Sequence, residues 1–170
     1  MDSPHHLQML TRYTAWANSL LYRSLQSEAH ETIHSPRPAR PNNLIGVLGH
    51  IYVVSLIWKA NLTGEDHGLK SRTLQDTPTL AELQSWQEAM DRWYIDFVDS
   101  QSAQALSEPI RFTFVDGGAG VMRGDEMLLH VVNHSTYHRG YVADMLYESG
   151  SRPPTMDLPV FLRDVVSQGG

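Results

Sequence analysis

The 170-residue chain contains no cysteine. This absence excludes disulfides, cysteine-ligated zinc, iron–sulfur clusters and thiol catalysis by the protein itself, and it fits a reducing compartment. The opening residues, "MDSPHHLQML", lack a basic region followed by an apolar run, so the sequence shows no signal peptide. We therefore expect a cytoplasmic protein.

Extended basic and extended apolar segments are also missing. Lys and Arg form no run longer than a residue or two, and the formal net charge is −6, so a nucleic-acid partner is not expected. The longest apolar stretch, residues 44–58, is shorter than the ~20 residues of a membrane span, and it carries His50 and Ser55. We interpret it as a helix buried in a soluble core, without a membrane partner.

Two common catalytic motifs are absent as well. No Glu stands between paired histidines in a His-Glu-x-x-His pattern, and no Gly-x-Ser-x-Gly elbow is present. The sequence therefore shows no obvious general base and no serine nucleophile. The sequence identifies no catalytic residue.

Hydrophobic residues make up 41% of the chain, which is enough for a real core, and the length fits a single domain over residues 1–170. The spacing of apolar residues is typical of long helices. A Thr79 and Glu82 pair has the spacing of a capping box. The predicted long helices cover 4–28, Asn42 or Asn43 to Leu62, Thr79 to about Ala105, and Asp125 to Gly150.

The remaining segments are shorter. Prolines in residues 34–41 predict an extended connection. In the stretch "PIRFTFVDGGAG", apolar residues stand at every second position, and this pattern ends at the glycines. The pattern predicts half of a small hairpin or an extended arm. A short last helix is predicted at roughly 157–166. The fold class is all-α, an antiparallel-type helical bundle whose long connections leave room for a topology other than simple up-down.

The last long helix carries His130, His134 and His138 at steps of four residues. Residues four apart project from nearly the same side of a helix, with ~40° of drift per step, so His134 and His138 can point at one metal ion. The ~80° drift from His130 to His138 is poor for three nitrogens that must lie ~2.1 Å from one ion. We expect two ligands from this helix, with His130 as a neighbour of the site.

His50 is the best candidate for the third ligand, because it lies in the middle of the most apolar helix. A buried imidazole needs partners for both ring nitrogens. A metal takes one nitrogen, and the other can donate to a carbonyl or a carboxylate. Three histidine ligands leave open coordination positions, the pattern of catalytic sites. The alternative is that ordinary hydrogen bonds satisfy these histidines within a core.

Arg139 and Gly140 follow the last of these histidines. We expect Arg139 to pair with a surface acid such as Asp144 or Glu126. A glycine inside a helix costs ~1 kcal/mol relative to alanine, which indicates close approach of another backbone at Gly140.

The stretch "HVVNHSTYHRGYVADML" closely resembles the helix signature of the DinB/YfiT-like metal-binding four-helix proteins, in which a histidine pair precedes Arg-Gly and usually Gln. The stretches "RYTAWANSLLYRSL" and "LGHIYVVSLIW" are similar to the first two helices of that family. The resemblance covers nearly the whole chain in the right order. Tyr141 departs from the pattern, since it stands where Gln is common.

The resemblance implies an up-down-down-up bundle with a left-handed twist, and it maps the metal ligands to His50, His134 and His138. It implies a divalent ion, usually nickel or zinc, and a homodimer. Relatives include thiol-dependent S-transferases and isomerases, so a small-molecule substrate or a low-molecular-weight thiol is an expected partner.

Three functions stay open. The first is a metal-dependent enzyme of the thiol-dependent transferase or hydrolase type. The second is a non-catalytic protein that binds metal or a small ligand in a stress response. The third is a structural role, in which the histidines are core residues and the dimer face is the functional surface.

Overall fold

Four long helices dominate the computed structural model, which describes residues 3–37 and 42–166. Short helices and one hairpin occupy the connections between them. The elements in chain order are α1 (Ser3–Leu25), α2 (His30–His34), α3 (Leu44–Thr63), α4 (Leu80–Ser100), α5 (Ala103–Ser107), β1 (Pro109–Thr113), β2 (Ala119–Arg123), α6 (Gly124–Glu148) and α7 (Leu158–Phe161), which leads into a π-helical turn at Leu162–Val166.

The four long helices form an up-down-down-up bundle. Helix α1 packs against α4 and α6, and α3 packs against the same two helices. Helix α1 runs antiparallel to α4, because Arg12 pairs with Asp99 and Gln26 pairs with Gln84. Helix α3 runs parallel to α4, because Tyr52 contacts Trp86 and Lys59 contacts Trp93. Helix α3 runs antiparallel to α6, because His50 contacts His138 and Trp58 contacts His130. The predicted fold class is confirmed.

Side-chain caps form at the predicted starts of α3 and α4. The Asn43 side chain accepts a hydrogen bond from the backbone N–H of Gly46, which satisfies one of the free donors at the start of α3. Thr79 and Glu82 form the predicted capping box at the start of α4. Gly64 ends α3 in a left-handed conformation, with φ of 72°, that favours glycine.

The structure corrects some boundaries. The predicted third helix is two helices, because α4 ends at Ser100 and the Ser102 hydroxyl caps a separate α5. Helix α2 was not predicted, because its five residues are too few to show helical periodicity. Of the proline-rich segment, residues 35–37 are non-helical as expected, and 38–41 lie outside the described residues.

The predicted hairpin consists of β1 and β2, paired antiparallel with Phe112 opposite Gly120. The Phe112 ring is buried and lies 5.1 Å from the Trp58 ring, measured between centroids. This contact anchors the hairpin on α3. The hairpin is therefore held against the second half of α3.

Helix α3 is long and apolar enough to cross a membrane by length and composition. However, 72% of its most apolar window is buried inside the bundle, so it has the character of a core helix. One apolar cluster surrounds the first half of α3, and another surrounds its second half. The middle level of the bundle, between them, carries polar side chains that include His50, Asn18, Asp91, Ser135 and Arg139.

Candidate metal centre

Three histidines from two helices converge at the middle level of the bundle. His50 comes from α3, and His134 and His138 come from successive turns of α6. The Nε2 atoms of His50 and His134 lie 3.1 Å apart. One ring nitrogen from each of the three histidines lies within 4.8 Å of the others. The structure thus brings together the three residues that the sequence singled out.

A backbone carbonyl fixes the orientation of the His50 ring. Its Nδ1 atom lies 2.7 Å from the carbonyl oxygen of Arg72, in the connection between α3 and α4. A carbonyl only accepts, so Nδ1 carries the proton and Nε2 presents its lone pair to His134. This is the arrangement expected of a metal-binding histidine, whose second nitrogen usually donates to a carbonyl or a carboxylate.

The electrostatics of the cluster favour neutral imidazoles. Burial, together with the charges of His138, His50, His130 and Arg72, lowers the pKa of His134 to about 3. Burial also lowers the pKa of His138, and the His50 charge adds to this effect. A neutral ring can offer a lone pair, whereas a protonated ring cannot. The two histidines of α6 are therefore ready to act as ligands near neutral pH.

The donor set fits a divalent metal ion. Nitrogens bound ~2.1 Å from one ion lie roughly 3–3.5 Å apart, a spacing that small rotations of these rings would reach. An all-imidazole set suits zinc, nickel, copper or iron rather than calcium or magnesium, which prefer oxygen. Three protein ligands also leave coordination positions free. The cluster can therefore hold an ion that remains accessible to a small molecule.

His130 lies beside the cluster but outside it, as expected. Its ring centroid is 4.7 Å from that of Trp58 and 5.7 Å from that of His134. Burial lowers the pKa of His130. Its ring rests on the indole, one helical turn before His134.

Arg139 is buried, with 2% of its surface exposed, so the predicted pairing with a surface acid is wrong. Its guanidinium donates to Asn18 Oδ1 and Ser135 Oγ at 3.0 and 2.9 Å, and to Thr136 Oγ1 at 2.9 Å. It also lies 5.5 Å from the centre of the Tyr13 ring. Position 139 is one residue beyond His138, which turns it ~100° away from the histidines and into the bundle.

A buried carboxylate, Asp91 on α4, completes this network. Its two oxygens accept from the Asn18 amide at 3.0 and 2.9 Å, and Oδ1 also accepts from Gln87 at 2.9 Å. Burial raises the pKa of Asp91 to about 6, although the Asn18 and Gln87 hydrogen bonds and the Arg139 charge oppose this shift. Sequence reasoning missed Asp91. The available signal was its place on the apolar face of α4, with Gln87 and Tyr94.

Gly140 does not mark a close approach between described residues. A Cβ atom built there meets nothing within 4 Å among the described residues, and the position is exposed. The expected packing of another helix against Gly140 is therefore wrong for this fold. Nothing in the structure explains the glycine.

An up-down-down-up bundle with three converging histidines defines a helical-bundle protein with a candidate metal site. The family model described as DinB family matches residues 2–165. Protein DinB of Bacillus subtilis (strain 168) is 29% identical over an alignment of 166 residues, and the match covers 90% of this chain and 91% of that protein. The chain belongs to the DinB family.

Proposed function

We propose that the protein binds one divalent metal ion through His50, His134 and His138. The observation that carries this proposal is the convergence of three imidazole nitrogens within 4.8 Å from two different helices. The Arg72 carbonyl leaves Nε2 of His50 facing the cluster, and the low pKa of His134 keeps that ring neutral. Without a cation, the Nε2–H of His134 can donate to Nε2 of His50 at 3.1 Å, and a bound ion would take the place of that shared proton.

The ion proposed for this site is nickel or zinc. Both accept a set of neutral imidazoles, and neither requires an oxygen ligand. No carboxylate belongs to the group of possible ligands among the described residues.

The site supports a metal-dependent enzyme of the thiol-dependent transferase or hydrolase type. A bound ion with free positions would lower the pKa of a water or thiol placed on it and polarise an electrophile. Cavities of about 160 and 230 Å³ reach His50 from two sides. One is also lined by His138 and the other by His134, so two small molecules can approach the cluster together. This supports a low-molecular-weight thiol with a second substrate.

A non-catalytic alternative is a stress-response protein that binds metal or a small ligand. One observation favours it: the possible ligands include no carboxylate, and none of the three histidines donates a hydrogen bond to a carboxylate in the described part of the chain. A hydrolase of this kind would lack the usual general base. The proposed setting is cytoplasmic, as a homodimer, without a nucleic-acid or membrane partner.

Elemental analysis of protein purified without a histidine tag tests the proposal. The expected result is about one nickel or zinc ion per chain that survives dialysis, as for a buried three-ligand site. Metal-loaded protein would then be assayed with low-molecular-weight thiols and an electrophile, against protein stripped by a chelator. A chain that neither contains nor takes up a divalent ion would exclude the metal site. Metal uptake without turnover of any thiol or ester would favour the non-catalytic alternative.

A further inference from the structure

A cavity of about 230 Å³ lies between the hairpin turn, α3 and α6, with His50 and His134 at one side. Its volume is slightly below the ~300–1,000 Å³ of pockets for drug-sized ligands, so it suits a smaller molecule. Its apolar wall consists of Val54, Ile57, Trp58, Phe114 and Val115. Two of these are aromatic, which favours a ligand with a flat apolar body.

Asn61 gives this cavity a polar group that neighbouring side chains hold in place. Its residue is only 5% exposed, and it lines the cavity from the last turn of α3. The Asn61 side-chain amide forms no hydrogen bond with the described residues. Its amide atoms are not among the fully buried atoms without a partner, so they keep contact with solvent through the cavity, and a polar ligand atom can take the place of that solvent. The site is therefore more than an apolar groove.

Arg72 supplies positive charge at the same cavity. Its side chain forms no hydrogen bond or ion pair with the described part of the protein. It lines the cavity together with His50 and His134. An unpaired guanidinium beside an apolar cavity is suited to a carboxylate, which it can bind through two parallel hydrogen bonds.

Asp116, in the hairpin turn, places a negative charge on the cavity wall. Its Oδ1 accepts from the backbone N–H of Gly118 at 3.0 Å, which holds it in the turn. It does not pair with Arg72. A second negative charge on a ligand would be repelled by Asp116, whereas a single carboxylate can stay with Arg72.

We propose that this cavity binds a small monocarboxylate with a flat apolar body, its carboxylate held by Arg72 and its body between Trp58 and Phe114. Asn61 pairs with a polar atom of the ligand, and Asp116 selects against dianions. This inference rests on the proposed function, because it assigns the substrate class of the histidine site. The bound molecule lies directly against His50 and His134.

Benzoate is the probe that tests this inference, titrated by NMR against ¹⁵N-labelled protein in metal-loaded and chelator-treated forms. The expected shifts are at the Trp58 indole N–H and the Asn61 side-chain amide, in both forms. Arg72→Gln should weaken benzoate binding about tenfold or more, because it removes a charge-assisted pair. Lys70→Gln is the matched control: it removes one exposed charge from the same connection, outside the cavity, and should leave the affinity unchanged.

Two ligand comparisons sharpen the test. Benzyl alcohol, which lacks the charge, should bind about tenfold more weakly than benzoate. Phthalate, a dianion, should also bind more weakly, and Asp116→Asn should restore much of its affinity. The variant keeps an oxygen that can accept from Gly118, so the turn should stay intact. Equal affinities for benzoate and phthalate would overturn the role of Asp116.

The outcomes separate this inference from the metal proposal. Benzoate binding that requires the ion and is unchanged in Arg72→Gln would overturn the inference, because the carboxylate would then be a metal ligand. The metal site would stand in that case. Arg72-dependent benzoate binding in a protein that takes up no metal would support the cavity assignment and overturn the proposed function. Absence of benzoate binding in both forms would overturn the inference alone.

Discussion

The Nε2 atoms of His50 and His134 lie 3.1 Å apart, although the two residues are 84 positions apart in the sequence. The antiparallel packing of α3 on α6 brings the two rings to the same level of the bundle. A carbonyl on the following connection then turns the His50 ring toward α6. The candidate site therefore depends on how α3 and α6 are aligned along their axes. Loss of any one of the three imidazole rings should abolish metal binding.

His50→Ala, His134→Ala and His138→Ala are each expected to lose the bound ion. Two imidazoles bind far more weakly than three, so metal content should fall from about one ion per chain toward zero after dialysis. Mass spectrometry of the metal in untagged protein provides the measurement. Circular dichroism of each variant would verify that the helices persist.

His130→Ala is the matched control for these variants. It removes the same side chain from the same face of α6, but its ring rests on Trp58 outside the group of possible ligands. Metal content should be largely retained. Equal loss of metal in all four variants would contradict the assignment of ligands.

Much of the site was predictable from the sequence because two simple patterns carry it. The four-residue spacing of His134 and His138 places both on one helix face, and His50 stands out in an apolar helix. The Arg72 carbonyl could not be predicted. It is a backbone group in an irregular connection, and nothing in the residue type indicates which carbonyl a distant ring will contact.

The helix starts were predictable because caps are local. Asn43 and the Thr79–Glu82 box act within four residues of their own positions. Arg139 was predicted wrongly for the opposite reason. Its burial depends on Asn18 and Asp91, which come from two other helices, and sequence spacing along α6 contains no information about them.

Asn18→Ala is expected to destabilise the protein by about 2–4 kcal/mol, since Asn18 bridges a buried cation and a buried carboxylate. Its Oδ1 accepts from Arg139, and its amide donates to both oxygens of Asp91. Without the Asn18 side chain, Arg139 and Asp91 each lose hydrogen-bond partners in the core. Urea denaturation gives the free energy of unfolding.

Asn133→Ala serves as the control for this change. Asn133 is on the exposed side of α6, so its truncation should alter the unfolding free energy by less than about 0.5 kcal/mol. A similar small effect for Asn18→Ala would mean that water takes over its hydrogen bonds. The network would then have little role in stability.

Asp91 is expected to make the protein less stable as pH rises from about 4 to about 6. Its pKa in the folded state is about 6, against an ordinary value of 3.8, so the folded state binds more protons across that window. Stability therefore falls as the pH rises through the window, and the loss is complete above it. A shift of about two pKa units corresponds to about 3 kcal/mol.

Asp91→Asn isolates this contribution from that of the histidines. The unfolding free energy of the wild type minus that of the variant should decrease by up to about 3 kcal/mol between pH 4 and pH 7. Other titrating groups cancel in the difference. A difference that stays constant with pH would show that Asp91 has an ordinary pKa in the folded protein.

Gly140→Ala is expected to stabilise the protein by about 0.5–1 kcal/mol, since alanine restricts the unfolded chain and has the higher helix propensity. The new methyl group would meet nothing within 4 Å in the described structure. Thermal and urea denaturation would measure the gain.

Gly120→Ala provides the contrast. The new Cβ atom would lie 2.5 Å from the Phe112 ring, so this substitution should destabilise the hairpin. If Gly140→Ala instead lowers stability and also reduces the mass measured by light scattering, the exposed face of α6 contacts a second copy of the chain. The missing side chain at position 140 would then serve an interface between protomers. Stabilisation without a change in mass would remove that explanation for the glycine.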